Sequence, residues 1–355
     1  MTRRLRLLLL FVLLLIQTAH AKTPSPFLQR SNEKAGMTLL VQQISPEKGE
    51  ASTYTCLAVP LEFHYTRSRY LSYRVRLNQG YQSFAGTGLY GFSDLSVSGR
   101  YLYRKDITLT GGVIIPVGSK ELSVEEITTT SAARIPFINS PLIYGNSGFG
   151  FHVGYSRGLE LNERTSLAVG ISYRVRTAYK PVEKKPEYDP SNELMLAAGV
   201  NCGDRLKGYT ADLQFSIYSA EKLDDRDYSK GGTGIAVSAK GFLNNWRAEA
   251  LYYQRQASEL QYGGEFKAPL IMDVKIGRTG LLPLASLIPY AGFEHTGEGT
   301  LMPAANVVLI GAYFEELQYN GYPLSPFVQV SFGSVGDNSN TLGFKVGSNI
   351  SFQMY

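Results

Sequence analysis

The pentapeptide Ser-Tyr-Arg-Val-Arg occurs twice, at 72–76 and 172–176, and brings four guanidinium groups: Arg74, Arg76, Arg174 and Arg176. In each copy the arginines alternate with Tyr and Val. Successive side chains of an extended strand point to opposite faces, so both guanidiniums of a copy share one face. The chemistry of such a face is electrostatic. A guanidinium is permanently charged and matches carboxylates and phosphates bidentately, so a wall of them draws anions.

The same alternation puts further charges on that face. Arg100, Lys240, Arg247, Arg255, Lys267, Lys275 and Lys345 are basic; Glu62, Asp94, Asp212, Glu249, Glu265 and Asp273 are acidic. Cross-strand ion pairs absorb part of the imbalance, and a positive surplus remains. Covalent chemistry is poorly supplied. Beyond the first residues only His64, His152 and His295 are present, with no nucleophile elbow, phosphate-binding glycine loop or metal-ligand spacing around them. No catalytic residue, metal or cofactor is expected, and a hydrogen-bonded structural role is the reading for each histidine. Cys56 and Cys202 are expected to be free thiols, each on the apolar side of its own strand.

The elements that position these groups are strands. Thr165 to Arg176 sets Leu167, Val169, Ile171, Tyr173 and Val175 against Ser166, Ala168, Gly170, Ser172, Arg174 and Arg176. This period-2 pattern recurs over almost the whole chain beyond residue 55, and no helical period competes with it. The chain reads as all-β. Short connections (Thr66 to Arg69, Lys105, Gly203 to Lys207, Leu243 to Asn245) alternate with long polar ones at 80–91, 117–146, 177–192 and 220–231. That asymmetry characterises outer-membrane barrels, whose short turns lie in the periplasm.

The N-terminus agrees with export. Arg3, Arg4 and Arg6 precede an apolar run from Leu7 to Ile16 and a small-x-small site at Ala19-His20-Ala21. Residues 1–21 are therefore expected to be a signal peptide, 22–36 a periplasmic segment and 37–355 the barrel. Loss of three arginines leaves 32 basic against 30 acidic residues, so the net charge falls from +5 to +2 and gives no reason to expect nucleic acid. The 24 tyrosines suit interfacial girdles. One antiparallel transmembrane barrel of about sixteen strands is expected, with fourteen or twelve as narrower alternatives, in the bacterial outer membrane. Its partners would be lipid, lipopolysaccharide, the barrel-assembly machinery and a small-molecule solute.

Register then has an energetic basis. An arginine facing lipid at mid-bilayer costs roughly 2–4 kcal/mol, and a one-residue slip would turn all four outward. They must face the lumen, with Arg100, Lys240, Arg247, Lys267 and Lys345 as further pore-lining cations. The two repeats run from a short turn toward a long loop, which predicts all four arginines in the outer half of the lumen or at its mouth. In a sixteen-strand count 117–146 occupies the place of a porin's constriction loop, which would set Glu121, Glu125 and Glu126 against the basic wall; an ordinary solvated loop is the alternative reading of the segment.

The stretch GFSDLSVSGRYLYRKDITLTGGVIIPVGS, from Gly91 to Ser119, resembles the outer-membrane family linked to phenol degradation by the meta-pathway. The match lies at Gly91, Asp94, Leu95, Tyr101, Pro116 and Gly118; Phe92, Ser93 and Val117 depart from it. The resemblance implies a channel, similar to fatty-acid channels, for small hydrophobic or aromatic compounds. The expected function is passive solute uptake through a basic lumen, not enzymatic activity. A non-conducting structural or adhesion barrel is the alternative, and an outer-membrane hydrolase a further one.

Overall fold

The computed structural model describes residues 31–46, 52–118, 121–123, 126, 129, 148–180, 182, 185–203, 207–260, 265–280, 287–299, 303–314, 317–319, 322–336 and 339–354. The alternating segments become strands: β1 (Ser31–Pro46), β2 (Ser52–Ser68), β3 (Leu71–Phe84), β4 (Thr87–Phe92), β5 (Leu95–Arg104), β6 (Ile107–Ile115), β7 (Gly150–Asn162) and β8 (Thr165–Arg176). There follow β9 (Tyr188–Asp189), β10 (Glu193–Gly203), β11 (Lys207–Tyr218), β12 (Glu221–Leu223), β13 (Arg226–Ser229), β14 (Gly232–Leu243), β15 (Trp246–Arg255), β16 (Ser258–Glu259) and β17 (Glu265–Phe266). The last are β18 (Ile271–Arg278), β19 (Leu287–Thr296), β20 (Ala305–Phe314), β21 (Leu317–Tyr319), β22 (Tyr322–Val335) and β23 (Ser339–Met354).

β4 and β5 pair with successive parts of β3, and β20 and β21 with successive parts of β22, so each pair fills one place in the wall. With β9, β12, β13, β16 and β17 set aside as loop ladders, the wall has sixteen places. Each strand is antiparallel to the next. β1 pairs with β2 on one edge and with β23 on the other, which closes the sheet into a ring. Closure leaves no open edge for further pairing. The first strand starts at Ser31, six residues before the expected start of the barrel, and Ser31 lies opposite Met354, so both ends of the wall share one rim.

That rim carries the tight turns: Arg69–Tyr70, Lys105–Asp106, Glu163–Arg164 and Asn244–Asn245. The opposite rim carries the long connections, several of them ordered. β9, β12 and β13 form a small sheet, and Tyr188 on it is buried beside Glu221, two effects that both raise its phenol pKa. Two expectations are corrected here. Residues 80–91 are not a loop: β3 and β4 meet in a two-residue turn at Ala85–Gly86, with φ of +50° and +85°, the positive values that a twisted hairpin turn needs. Lys267 is not on the wall, because 267–270 separates β17 from β18, and Pro269 cannot donate to a ladder.

The outer face is a belt of exposed apolar side chains, among them Val153, Tyr155, Val169, Ile171, Leu213, Val274, Ile310, Val330 and Phe344. At the short-turn rim three arginines lie over aromatic rings: Arg69 over Tyr70 at 4.6 Å, Arg104 over Tyr103 at 5.6 Å and Arg278 over Trp246 at 5.0 Å. An aromatic ring with a cation beside it suits the boundary between hydrocarbon and headgroups. Arg157 faces outward near this rim and is held 2.9 Å from Asp106 in the adjacent turn.

Candidate functional site on the inner wall

Residues opposite each other in a ladder point to the same side, so the register settles which charges meet. One inward row runs His64–Arg74–Ser98–Gly112–His152–Arg174–Glu193 across β2, β3, β5, β6, β7, β8 and β10. The next row toward the long-loop rim contains Glu62, Arg76, Ser96, Ile114, Gly150 and Arg176. One row toward the short turns stand Ser72, Arg100, Thr110 and Gly154. The two copies of the repeat thus occupy the same rungs, and five arginines form three consecutive steps.

The expectation that all four repeat arginines lie in the outer half is corrected. Arg74 and Arg76 sit near the short-turn end of β3, whereas Arg174 and Arg176 end β8 at the long-loop rim. They share rungs because strands in a barrel are staggered, so a row climbs as it passes around the wall.

Two carboxylates meet these arginines. Glu62 lies 2.9 Å from Arg74 and 3.6 Å from Arg76, and Glu193 lies 3.1 Å from Arg174. The Arg74 and Arg76 side chains remain about half exposed, at 51% and 53%. Exposed pairs of this kind contribute about 0–1 kcal/mol each and leave the guanidiniums open to solvent. Arg100 and Arg176 have no carboxylate partner among the described residues. A cavity of 660 Å³ opens along this flank, lined by Glu62, His64, Arg74, Arg100, Thr110 and His152 and reaching Arg69 and Tyr70 at the short-turn rim. Gly112 makes room for the His152 ring, whose Cε1 lies 2.5 Å from the place a Cβ would take.

The opposite flank is filled. Lys275 Nζ lies 2.5 Å from Asp273 and 3.7 Å from Glu294, and the Glu294 side chain is only 9% exposed. Lys345 points into the same cluster, so it is half-buried among charges instead of lining open space. Tyr290 lies across Gly311 and donates a 2.9 Å hydrogen bond to Gln329. Toward the long-loop rim an apolar cluster joins Tyr54, Cys56 and Ala58 of β2 with Ala305, Val307 and Leu309 of β20 and Val335 of β22. β2 neighbours neither β20 nor β22 in the ring, so its side chains meet theirs inside the barrel. Cys56 therefore faces inward, on the face of Glu62, and not outward; neither Cys56 nor Cys202 is in a disulfide.

Lys240 faces inward, 3.4 Å from Glu249, and Arg247 shares that face opposite Gly277. His295 faces outward and its Nδ1 lies 2.9 Å from Asn306. In the connection after β6, Leu122 is buried against inward-facing Leu89 and bridges to Val182, while Thr129 is fully buried and donates to the Thr87 carbonyl. Ser123 and Glu126 bond reciprocally, Ser123 N to the carboxylate at 2.9 Å and Glu126 N to Ser123 Oγ at 3.2 Å, as in a helix capping box. Glu126 is thus committed locally, Glu121 is exposed, and Glu125 lies outside the described residues. Glu193 and Glu294 escaped the sequence reading: Glu193 begins its strand, and 287–295 is apolar on both faces.

No family model and no curated protein matches the sequence. Solved structures match in fold. OpdK from Pseudomonas aeruginosa, solved with vanillate, gives a TM-score of 0.54 at 8% identity over 92% of this chain and 100% of that one. OpdQ from the same organism gives 0.53 at 7% identity over 92% and 99%. OprB from Pseudomonas putida gives 0.52 at 8% identity over 91% and 94%. The chain has the fold of the outer-membrane β-barrels.

Proposed function

We propose that this protein is a bacterial outer-membrane channel for the passive uptake of small solutes, with a preference for small organic anions. The observation that carries this reading is the three-step arginine staircase beside an open cavity on the inner wall of a closed sixteen-strand barrel. A low-dielectric wall concentrates the field of such charges on ions passing them. His64 and His152 lie opposite Arg74 and Arg174, an arrangement that serves anion attraction and offers no activated nucleophile. The Gly91–Ser119 resemblance supports aromatic compounds among the solutes, and the fold-related OpdK was solved with vanillate.

The refolded protein in a planar bilayer is expected to conduct and to show an anion-preferring reversal potential in a salt gradient. A barrel that inserts without conducting would defeat the reading. Orientation is part of the proposal: the long connections face outside. Cysteines at Lys185 and Lys230, in a Cys56→Ala, Cys202→Ala background, should react with an impermeant maleimide on intact cells. Labelling only after the membrane is broken would reverse the topology. A second reading, a non-conducting structural barrel, draws support from the filled flank and from Leu122 seated on Leu89.

A further inference from the structure

A second recess lies on the outer wall, where the arginine staircase plays no part. It measures 530 Å³ and follows the short-turn ends of β10, β11, β14, β15 and β18. Register explains its depth. One outward row reads Cys202–Tyr209–Gly241–Ala248–Ile276, so two small residues stand between Tyr209 and Ile276. The next outward row away from the rim places Ala239 opposite Ala250, which continues the low floor into the apolar belt. Leu243 and Trp246 wall the recess at the rim, and Arg164 and Lys207 border it there. Arg278 stacks over the Trp246 ring.

We propose that this recess docks one anionic glycerophospholipid, with an acyl chain along the Gly241–Ala248 floor and the phosphate between Arg164 and Lys207. The proposal rests on the membrane-barrel reading of the preceding subsection. An outward apolar recess in the belt meets hydrocarbon, and its cations sit only at the rim, where a lipid phosphate would lie. A phosphate there gains charge-assisted hydrogen bonds, which a zwitterionic headgroup weakens with its own cation. A second copy docked symmetrically on this face would bring like charges to the same rim.

The chain contains a single tryptophan, Trp246, and it borders the recess, so its fluorescence reports occupancy. The purified full-length barrel in detergent is titrated with phosphatidylglycerol brominated on its acyl chains, a contact quencher, and in parallel with brominated phosphatidylcholine. Saturable quenching is expected at about tenfold lower phosphatidylglycerol, given the worth of two interfacial cations. Arg164→Gln with Lys207→Gln should remove that difference and leave phosphatidylcholine unchanged. Gly241→Leu should weaken quenching by both lipids, and a Cβ at Gly241 meets nothing closer than 3.7 Å, so the fold should tolerate it.

Equal quenching by both lipids, unchanged in the charge variant, would overturn the proposal in favour of ordinary annular contact. Competition by inorganic phosphate would also overturn it, in favour of an anion site without a lipid. Protection of Trp246 only in a dimeric species would assign the recess to a second copy. Faster migration of the unheated protein on a denaturing gel marks the membrane barrel itself. A soluble chain lacking that behaviour would defeat the underlying reading, separately from the docking site.

Discussion

The two flanks of the inner wall carry the same residue types and treat them in opposite ways. On the β2–β10 flank the arginines stand half exposed, sharing Glu62 and Glu193. On the β18–β23 flank Asp273, Lys275 and Lys345 are half-buried around a nearly buried Glu294, with Val307 and Leu309 nearby on β20. The inward neighbours explain the difference. Beside the arginines the same rows supply Ser96, Ser98, Gly112 and Gly150, which leave room for water. On the other flank Val307 and Leu309 of β20 reach across the lumen to Tyr54 at the long-loop end of β2. A charge that solvent can reach creates a field for passing ions; a charge that solvent cannot reach must be neutralised by its neighbours.

The largest expected effect tests that contrast directly. Lys275→Met would leave Lys345 alone to offset Asp273 and Glu294, and in this mostly buried cluster the loss should reach toward the low end of the roughly 3–5 kcal/mol that breaking a buried pair costs. The unheated gel form should convert to the slow form at a clearly lower temperature. Arg74→Gln should shift that temperature little, since its pair is half exposed and worth under about 1 kcal/mol. Equal losses from both substitutions would erase the distinction between the flanks.

Next in size is selectivity. Replacing Arg74, Arg76, Arg174 and Arg176 together by Gln should keep the fold and move the reversal potential toward cations. Raising salt should weaken the wild-type anion preference as the Debye length shrinks. A folded variant with an unchanged reversal potential would reduce the staircase to a structural feature. Smaller still is the contribution of the connection after β6. Leu122→Ala should loosen its hold on Leu89 and raise conductance without changing the sign of selectivity. Unchanged conductance would leave the filled flank alone responsible for narrowing the lumen.

The smallest effect lies outside the wall. Lys230 and Glu259 pair at 2.6 Å in the long-loop region, and the pairing raises the lysine pKa and lowers that of the glutamate. The lowered glutamate pKa gives a contribution present above the ordinary carboxylate range and lost as pH falls through the shifted value. The raised lysine pKa gives one present below the ordinary lysine range and lost as pH rises past its shifted value. Both groups are fully exposed, so Glu259→Gln should change gel-shift stability at neutral pH only slightly and leave conductance alone.

Which side of each strong strand is wet can be read from the residues alone. Alternation with period 2 is a local property, and Arg74, Arg76, Arg174 and Arg176 obey it because the opposite choice would bury charge in hydrocarbon. It also marked the tight turns at Lys105 and Asn245 and the inequality of the two rims. It did not show that the two repeats occupy the same rungs, because stagger accumulates over four intervening strand pairings and no single strand encodes the total. Nor did it show that Cys56 meets Val307, or that Lys345 lies enclosed while Arg100 lies open. Those are contacts between strands far apart in the chain, decided by which small and large side chains closure brings face to face. Only the closed ring distinguishes an arginine at a cavity from a lysine half-buried among carboxylates.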